Sequence, residues 1–170
     1  SYTAFAAVVL WPWIMFSEGL LRGMTAVGAN AELVKKVAFP RELLVYAAVL
    51  GAFALHAVGY LAVLVVLKAL GEPLHLSSLP LVLFLLVPLA LITVGVTAVL
   101  AALQTLLRDV EQVISVLLMV LFYGTPILYP LALVPESLRG WMAVNPLTTM
   151  AERLREVVLA GSHDPRTVGA

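Results

Sequence analysis

Not one cysteine occurs in the 170 residues, so disulfides, thiolate chemistry and cysteine-ligated zinc are excluded. Charge is scarce as well. Asp, Glu, Lys and Arg make up 12% of the chain, against roughly 25% in an ordinary soluble domain. Acidic and basic residues balance to a net charge of zero, which removes any bulk attraction to nucleic acid. There is no GxxxxGK[ST] phosphate loop and no HExxH pair. The three histidines, His56, His75 and His163, fall in separate regions and do not suggest one metal site. No serine, histidine and carboxylate have a recognisable catalytic context. Segments of about 10 residues alternating apolar and polar, the mark of a membrane β-barrel, are absent too. Catalysis by this chain is not expected, and conduction or translocation is the class left standing.

What is present is grease. The chain is 62% hydrophobic with a mean hydropathy of +1.06. The apolar residues come in four blocks, at about residues 2–21, 43–67, 79–107 and 113–131. About 20 apolar residues suffice to cross a bilayer, and helices satisfy their own backbone hydrogen bonds in lipid. The expected fold is therefore an all-α integral membrane protein, a polytopic helix bundle with four spanning helices and short re-entrant or interfacial helices near the C-terminus. It reads as a single transmembrane domain over residues 1–170. Ser1 is not preceded by a basic signal region and the last residues are polar, so the sequence is expected to be truncated at both ends.

Short loops rich in Lys and Arg face the cytoplasm. Arg22, Lys35, Lys36, Arg41 and Arg108 cluster on one side, and the short loop on the other holds only Lys68. The segment NAELVKKVAFPRE (residues 30–42) and the turn RDVEQ (108–112) are thus expected to be cytoplasmic. Arg139, Arg153, Arg155 and Arg166 lie on the outer side, so this orientation rests on the short loops alone. After the fourth block, Pro126 and Pro130 should break the helix near the outer surface. Asn145 followed by Pro146 reads as a helix cap and first turn. Two amphipathic helices are expected at about 136–144 and 146–160. Leu147, Met150, Leu154, Val157 and Val158 form the apolar face of the second, with Glu152, Arg153, Arg155 and Glu156 mostly away from it. Ala47 and Gly51 have the small-xxx-small spacing of close helix packing.

Four stretches in order carry a resemblance: WPWIMFSEGL (11–20), NAELVKKVAFPRE, RDVEQ and TPILYPLALVPESLRGWMAVNPLT (125–148). Together they resemble the permease subunits of type-2 ABC exporters, closest to those that move lipid-linked polysaccharide of the O-antigen, capsule or teichoic acid type. The resemblance implies a homodimeric permease, multi-pass in the cytoplasmic (inner) membrane of a bacterium. It also implies a partner ATPase in two copies. ATP and magnesium would sit on that partner, and this chain would hold no cofactor and no metal. The four blocks would be the family's second to fifth spans. The expected partners are the ATPase, a second permease, membrane lipid and the glycan substrate.

Residue roles follow from the resemblance. The cytoplasmic loop, residues 25–42, would be a coupling surface for the ATPase. Leu33 and Phe39, with Val34 and Val37, would supply apolar contact, and Lys35, Lys36, Arg41 and Glu42 orientation. Pro40 would end the short coupling helix and set the angle into the next span. Arg108 and Asp109 would add a smaller contact. Alternatively, the loop is a positive anchor on anionic lipid, and RDVEQ a plain polar turn. Trp13, Phe16, Phe122 and Tyr123, with Glu18, would line a sugar path, since aromatic faces stack on sugar rings. The competing reading is an interfacial aromatic belt and helix packing. Glu18 is equally read as half of an i,i+4 pair with Arg22, and His56 as a neutral histidine bonded to a neighbouring helix. The outer segment, residues 132–161, would gate the exit with Pro126, Tyr129, Pro130, Pro135, Asn145 and Pro146 at its corners. The alternatives are a type-2 ABC permease for a drug or lipid, an ion-coupled transporter titrating Glu18 and His56, and a structural membrane anchor.

Overall fold

The computed structural model describes residues 1–107 and 109–160. Three helices of 28 residues dominate it: α1 (Tyr2–Ala29), α3 (Glu42–Ala69) and α4 (Leu79–Leu106). At 1.5 Å per residue each is about 42 Å long, more than the roughly 30 Å of hydrocarbon in a bilayer. All three are apolar enough to cross a membrane, and the chain is a multi-pass membrane protein. The shorter helices are α2 (Ala31–Lys36), α5 (Val110–Tyr123), α6 (Glu136–Val144) and α7 (Pro146–Arg155), the last running on into a wide turn at Glu156–Ala160. No strand occurs among the described residues.

Among the described residues three helices are long and apolar enough to span, where four were expected. The block at 113–131 forms the 14-residue α5, about 21 Å long and too short to cross alone. Gly124, Thr125 and Pro126 stop it. The Thr125 hydroxyl donates to the Leu121 carbonyl at 2.8 Å, and the chain then turns, with the Ile127 N–H on the Thr125 carbonyl at 2.7 Å. Ile127 is fully buried there, so its apolar neighbours belong to a packed turn and not to a longer helix.

Helix α1 is the hub, touching α3, α4, α5 and α7. It buries Val8, Met15, Leu20 and Met24. Glycines let its neighbours approach. A Cβ at Gly23 would lie 2.7 Å from Val49 Cγ2 and closer still to Thr97 Cγ2, and one at Gly19 would lie 3.2 Å from the Phe53 ring. The expected close packing at Ala47 and Gly51 is not made among the described residues. Both are exposed, and nothing lies within 4 Å of a Cβ at Gly51. That side of α3 points outward together with Leu50, Leu55 and Val58.

Pro12 sits inside α1. A proline has no N–H, so it leaves the carbonyl four residues back, that of Val8, without its helical partner. The Tyr60 hydroxyl of α3 donates to this carbonyl at 2.8 Å. In a medium without water a freed carbonyl needs such a substitute. Tyr60→Phe is expected to destabilise the fold by about 1–3 kcal/mol, the cost of leaving a buried acceptor unpaired. Thermal melting of the detergent-solubilised protein, followed by tryptophan fluorescence, would show the drop. An unchanged midpoint would mean that Val8 has found another donor.

Candidate coupling surface, path and outer gate

The two ends of the bundle differ. Tyr2, the residues near His75, the turn after α5 and the turn after α7 gather at one end. The Tyr2 hydroxyl donates to the Leu128 carbonyl at 3.0 Å, and the His75 N–H to the Val158 carbonyl at 3.0 Å. At the other end lie α2, the start of α3 and the start of α5.

Among the described residues, helix α2 has no buried side chain. Asn30 closes α1, its side-chain amide donating to the Ala26 carbonyl at 2.8 Å, and α2 begins directly after it. Glu32 holds both Lys35 and Lys36 at 3.8 Å across one helical turn. Leu33 and Val37 are 44% and 51% exposed, and Phe39 is half-buried. Apolar groups thus stand free among charges, the composition of an interface core with its rim. The helix ends at Lys36, where Val37 is extended, so Pro40 does not terminate it as expected. Pro40 lies in the turn before α3, its carbonyl accepting from the Leu43 N–H at 3.1 Å. Beside this turn Arg41 and Glu42 line a pocket of about 280 Å³ between α1, α3 and α4, floored by Val45, Ala98, Ala101 and Ala102. Asp109 is exposed before α5, whose Glu111 N–H is bonded to Gln104 of α4 at 3.0 Å. Arg108 lies outside the described residues.

A groove of about 290 Å³ runs between α1 and α5, lined by Trp13, Ser17 and Leu21 on one side and Ser115, Met119, Phe122 and Tyr123 on the other. Trp13 meets Phe122 edge-on at 5.5 Å, and Phe122 meets Tyr123 at 5.4 Å. Aromatic faces beside serine hydroxyls suit a sugar chain. Phe16 does not join them. It is 5% exposed and packs into the core behind Trp13, because its position on α1 faces α3 and α4. Glu18 pairs with Arg22 on its own helix, as one reading of the spacing has it. It also meets His56 Nε2 of α3 at 2.5 Å. The Trp11 indole N–H donates to the His56 carbonyl at 3.0 Å and so joins α1 to α3.

At the outer segment, Asn145 caps α7 with its side-chain oxygen on the Leu147 N–H at 3.0 Å, and its amide donates to the Thr125 hydroxyl at 3.0 Å. Pro146 follows as the first helical residue. Pro126 is buried, whereas Pro130 and Pro135 are exposed at the corners that lead into α6. The Tyr129 hydroxyl donates to the Tyr123 carbonyl at 2.7 Å, and burial pushes its phenol pKa above the ordinary value. Helices α6 and α7 then part company. Helix α6 buries no residue, and Trp141 and Val144 are each 81% exposed. Helix α7 buries Leu147, Thr148, Ala151, Leu154 and Arg155.

Arg155 overturns the expected polar face of that helix. It is 6% exposed. Its guanidinium lies 3.7 Å over the Phe5 ring and donates to the Ile127 carbonyl at 2.7 Å, the Phe5 carbonyl at 3.4 Å and the Glu152 carboxylate at 3.2 Å. Burial lowers its pKa from the usual guanidinium value, and the Glu152 charge opposes that shift. One side chain thus ties α7 to α1 and to the turn after α5. The signal for it lay in Thr148 and Ala151, small residues seven and four positions back on the same face.

The pattern that describes the ABC-2 type transporter family matches residues 2–159 of this chain. The chain belongs to the ABC-2 type transporter family. Among curated proteins it is similar to the O-antigen export system permease protein RfbA of Klebsiella pneumoniae, 30% identical over 163 residues. It is also similar to the protein of the same name from Myxococcus xanthus, 32% identical over 154 residues. These alignments cover 95% and 88% of this chain but 62% and 58% of the relatives, so the chain spans about three-fifths of their length. Within this family member, the free surface of α2, the α1–α5 groove and the outer helices are the candidate working parts.

Proposed function

We propose that this chain is most of a permease subunit of an ATP-driven exporter that moves lipid-linked polysaccharide across the inner membrane of a bacterium. Two copies form the path, and two copies of a separate ATPase, carrying ATP and magnesium, bind at the α2 end. The observation that carries this reading is α2 itself, a helix with exposed Leu33 and Val37 and with Lys35 and Lys36 on its rim, strung between two spanning helices. The ATPase docks on residues 30–42 and on Asp109, and its closure on ATP displaces α2. The spans carry that displacement outward. The glycan runs past Trp13, Phe122 and Tyr123, with α6 and α7 narrowing the exit. The names of the relatives support the polysaccharide class over a drug or a simple lipid.

The test is co-purification of the full-length permease from native membranes in mild detergent, wild type against a form with Lys35, Lys36 and Arg41 changed to Glu, both checked for equal insertion. The expected outcome is an ATPase retained by wild type and reduced at least tenfold by the charge-reversed form, as hot-spot losses at an interface typically run. If no ATPase accompanies either form and transport follows a proton gradient, the Glu18–His56 contact becomes the working site of an ion-coupled transporter, and the coupling reading falls.

A further inference from the structure

Three polar bonds join α1 to α3 across the membrane interior. Trp11 donates to the His56 carbonyl at 3.0 Å, Tyr60 to the Val8 carbonyl at 2.8 Å, and His56 Nε2 meets Glu18 Oε2 at 2.5 Å. The third differs in kind, because both partners are side chains. It is also the nearest of the three to α2. Glu18 and His56 both lie close to the middle of 28-residue helices, where a lone carboxylate is costly. Arg22 on the same helix takes the other carboxylate oxygen, so Glu18 is neutralised from its own helix and bonded from the next. The side chains of His56 and Glu18 are 16% and 30% exposed.

Toward α2 from this bond, Gly23 of α1 meets Val49 of α3, and Met24 and Val45 are both buried apolar residues. In lipid such apolar contacts have no hydrophobic force holding them in place, and they carry no directional preference. A displacement of α2 enters both legs of the hairpin, and the legs answer as one body only where a directional bond joins them. We propose that Glu18 and His56 are positioning residues whose bond is the clasp of this hairpin, making α1 and α3 take up the movement of α2 together. This rests on the coupling reading above. Neither residue touches the ATPase surface, and neither lines the aromatic groove.

The experiment uses the full-length permease with its ATPase in lipid nanodiscs and vesicles. The variants are His56→Leu, Glu18→Leu, the double variant and His56→Gln, whose amide N–H can still donate to Glu18. Spin labels go at Gly28 of α1, which has open space around it, and at Leu50 of α3, which is 54% exposed. This stretch holds no cysteine to compete for label. Each leucine variant is expected to keep the wild-type ATPase rate while glycan exported per ATP falls about tenfold, the scale of a lost hydrogen bond to a charged group. The label-to-label distance distribution should broaden in both. The double variant should be no worse than either single one, as for two partners in one bond, and His56→Gln should stay near wild type in export and in distance. Export per ATP and distance left unchanged by both leucine changes would overturn the clasp, and so would losses that multiply in the double variant. If His56→Leu fails to insert, Glu18→Leu decides by the same readouts. If the wild type binds no ATPase, the coupling reading fails by itself. The distance distributions of the permease alone then judge the clasp, supporting it if they broaden and overturning it if they do not.

Discussion

Arg155→Leu is expected to cost about 1–3 kcal/mol of stability, the usual penalty for leaving buried acceptors without their donor. The magnitude follows from what is left behind. Glu152 loses its partner, the Ile127 carbonyl loses a donor at 2.7 Å, and the Phe5 ring loses the cation stacked on its face. Leucine fills part of the volume but satisfies none of these groups. Arg155→Lys should fall between, because an ammonium keeps the charge without the planar fork that reaches two carbonyls and a carboxylate together. Thermal melting in detergent reads the stability. Protease accessibility of residues 126–160 in intact vesicles reads whether the outer segment has come away. Loss of stability with normal protection would place the damage in α1, and wild-type behaviour in both would mean that the guanidinium is dispensable.

Gly23→Val should be nearly as damaging. Any Cβ at this position meets Thr97 Cγ2 and Val49 Cγ2 at once, inside the distances that real side chains tolerate. Both obstacles belong to stiff β-branched residues on two different helices, so relief means moving α3 or α4 away from the hub. Overpacking of this kind costs about 1–3 kcal/mol. The same change to alanine makes the sharper comparison. Gly23→Ala should destabilise, whereas Gly51→Ala, with open space around it, should be neutral or gain about 0.5–1 kcal/mol from helix propensity. Thr97→Ser removes one of the two obstructing methyls and should recover part of the Gly23→Ala loss. Melting of the four single and double variants measures this. Equal effects at Gly23 and Gly51 would show that the three-helix contact yields freely.

These two sites mark where the sequence could and could not be read. Gly19 and Gly23 have the same small-xxx-small spacing as Ala47 and Gly51, yet only the former pair is packed. Spacing says that a helix can approach, and only the third dimension says whether one does. The spans were legible where apolar runs were long, as in α3 and α4. Helix α1 continues to Ala29 beyond the expected end because Glu18 and Arg22 neutralise each other inside it. The end of α5 was hidden, since Ile127, Leu128 and Leu131 prolong its apolar run but lie beyond the turn that stops it. Local chemistry was easier to read. The Asn145–Pro146 start of α7 depends on neighbours two residues apart, and it forms as expected. The partners of Arg155 are carbonyls 28 and 150 residues away, and the small residues Thr148 and Ala151 on its face hint at its burial without naming them. The Glu18–His56 contact falls between the two cases. Each residue stood out alone as a polar group in an apolar block, and the fold makes them one bond.

The notch that Pro12 leaves in α1 sets a problem of register. Over their apolar stretches, two such helices can slide past each other by one turn, or rotate by one residue, and still present leucine, valine and alanine to one another. Their surface pattern gives many nearly equal alignments. Together with the Glu18–His56 bond, a carbonyl without a helical partner at Val8 and a phenol placed to fill it at Tyr60 are compatible with one alignment only. Slipping by a turn would strand both groups in hydrocarbon. The proline thus acts as an index mark that fixes how far α3 is inserted alongside α1, and with it the height at which α2 is held.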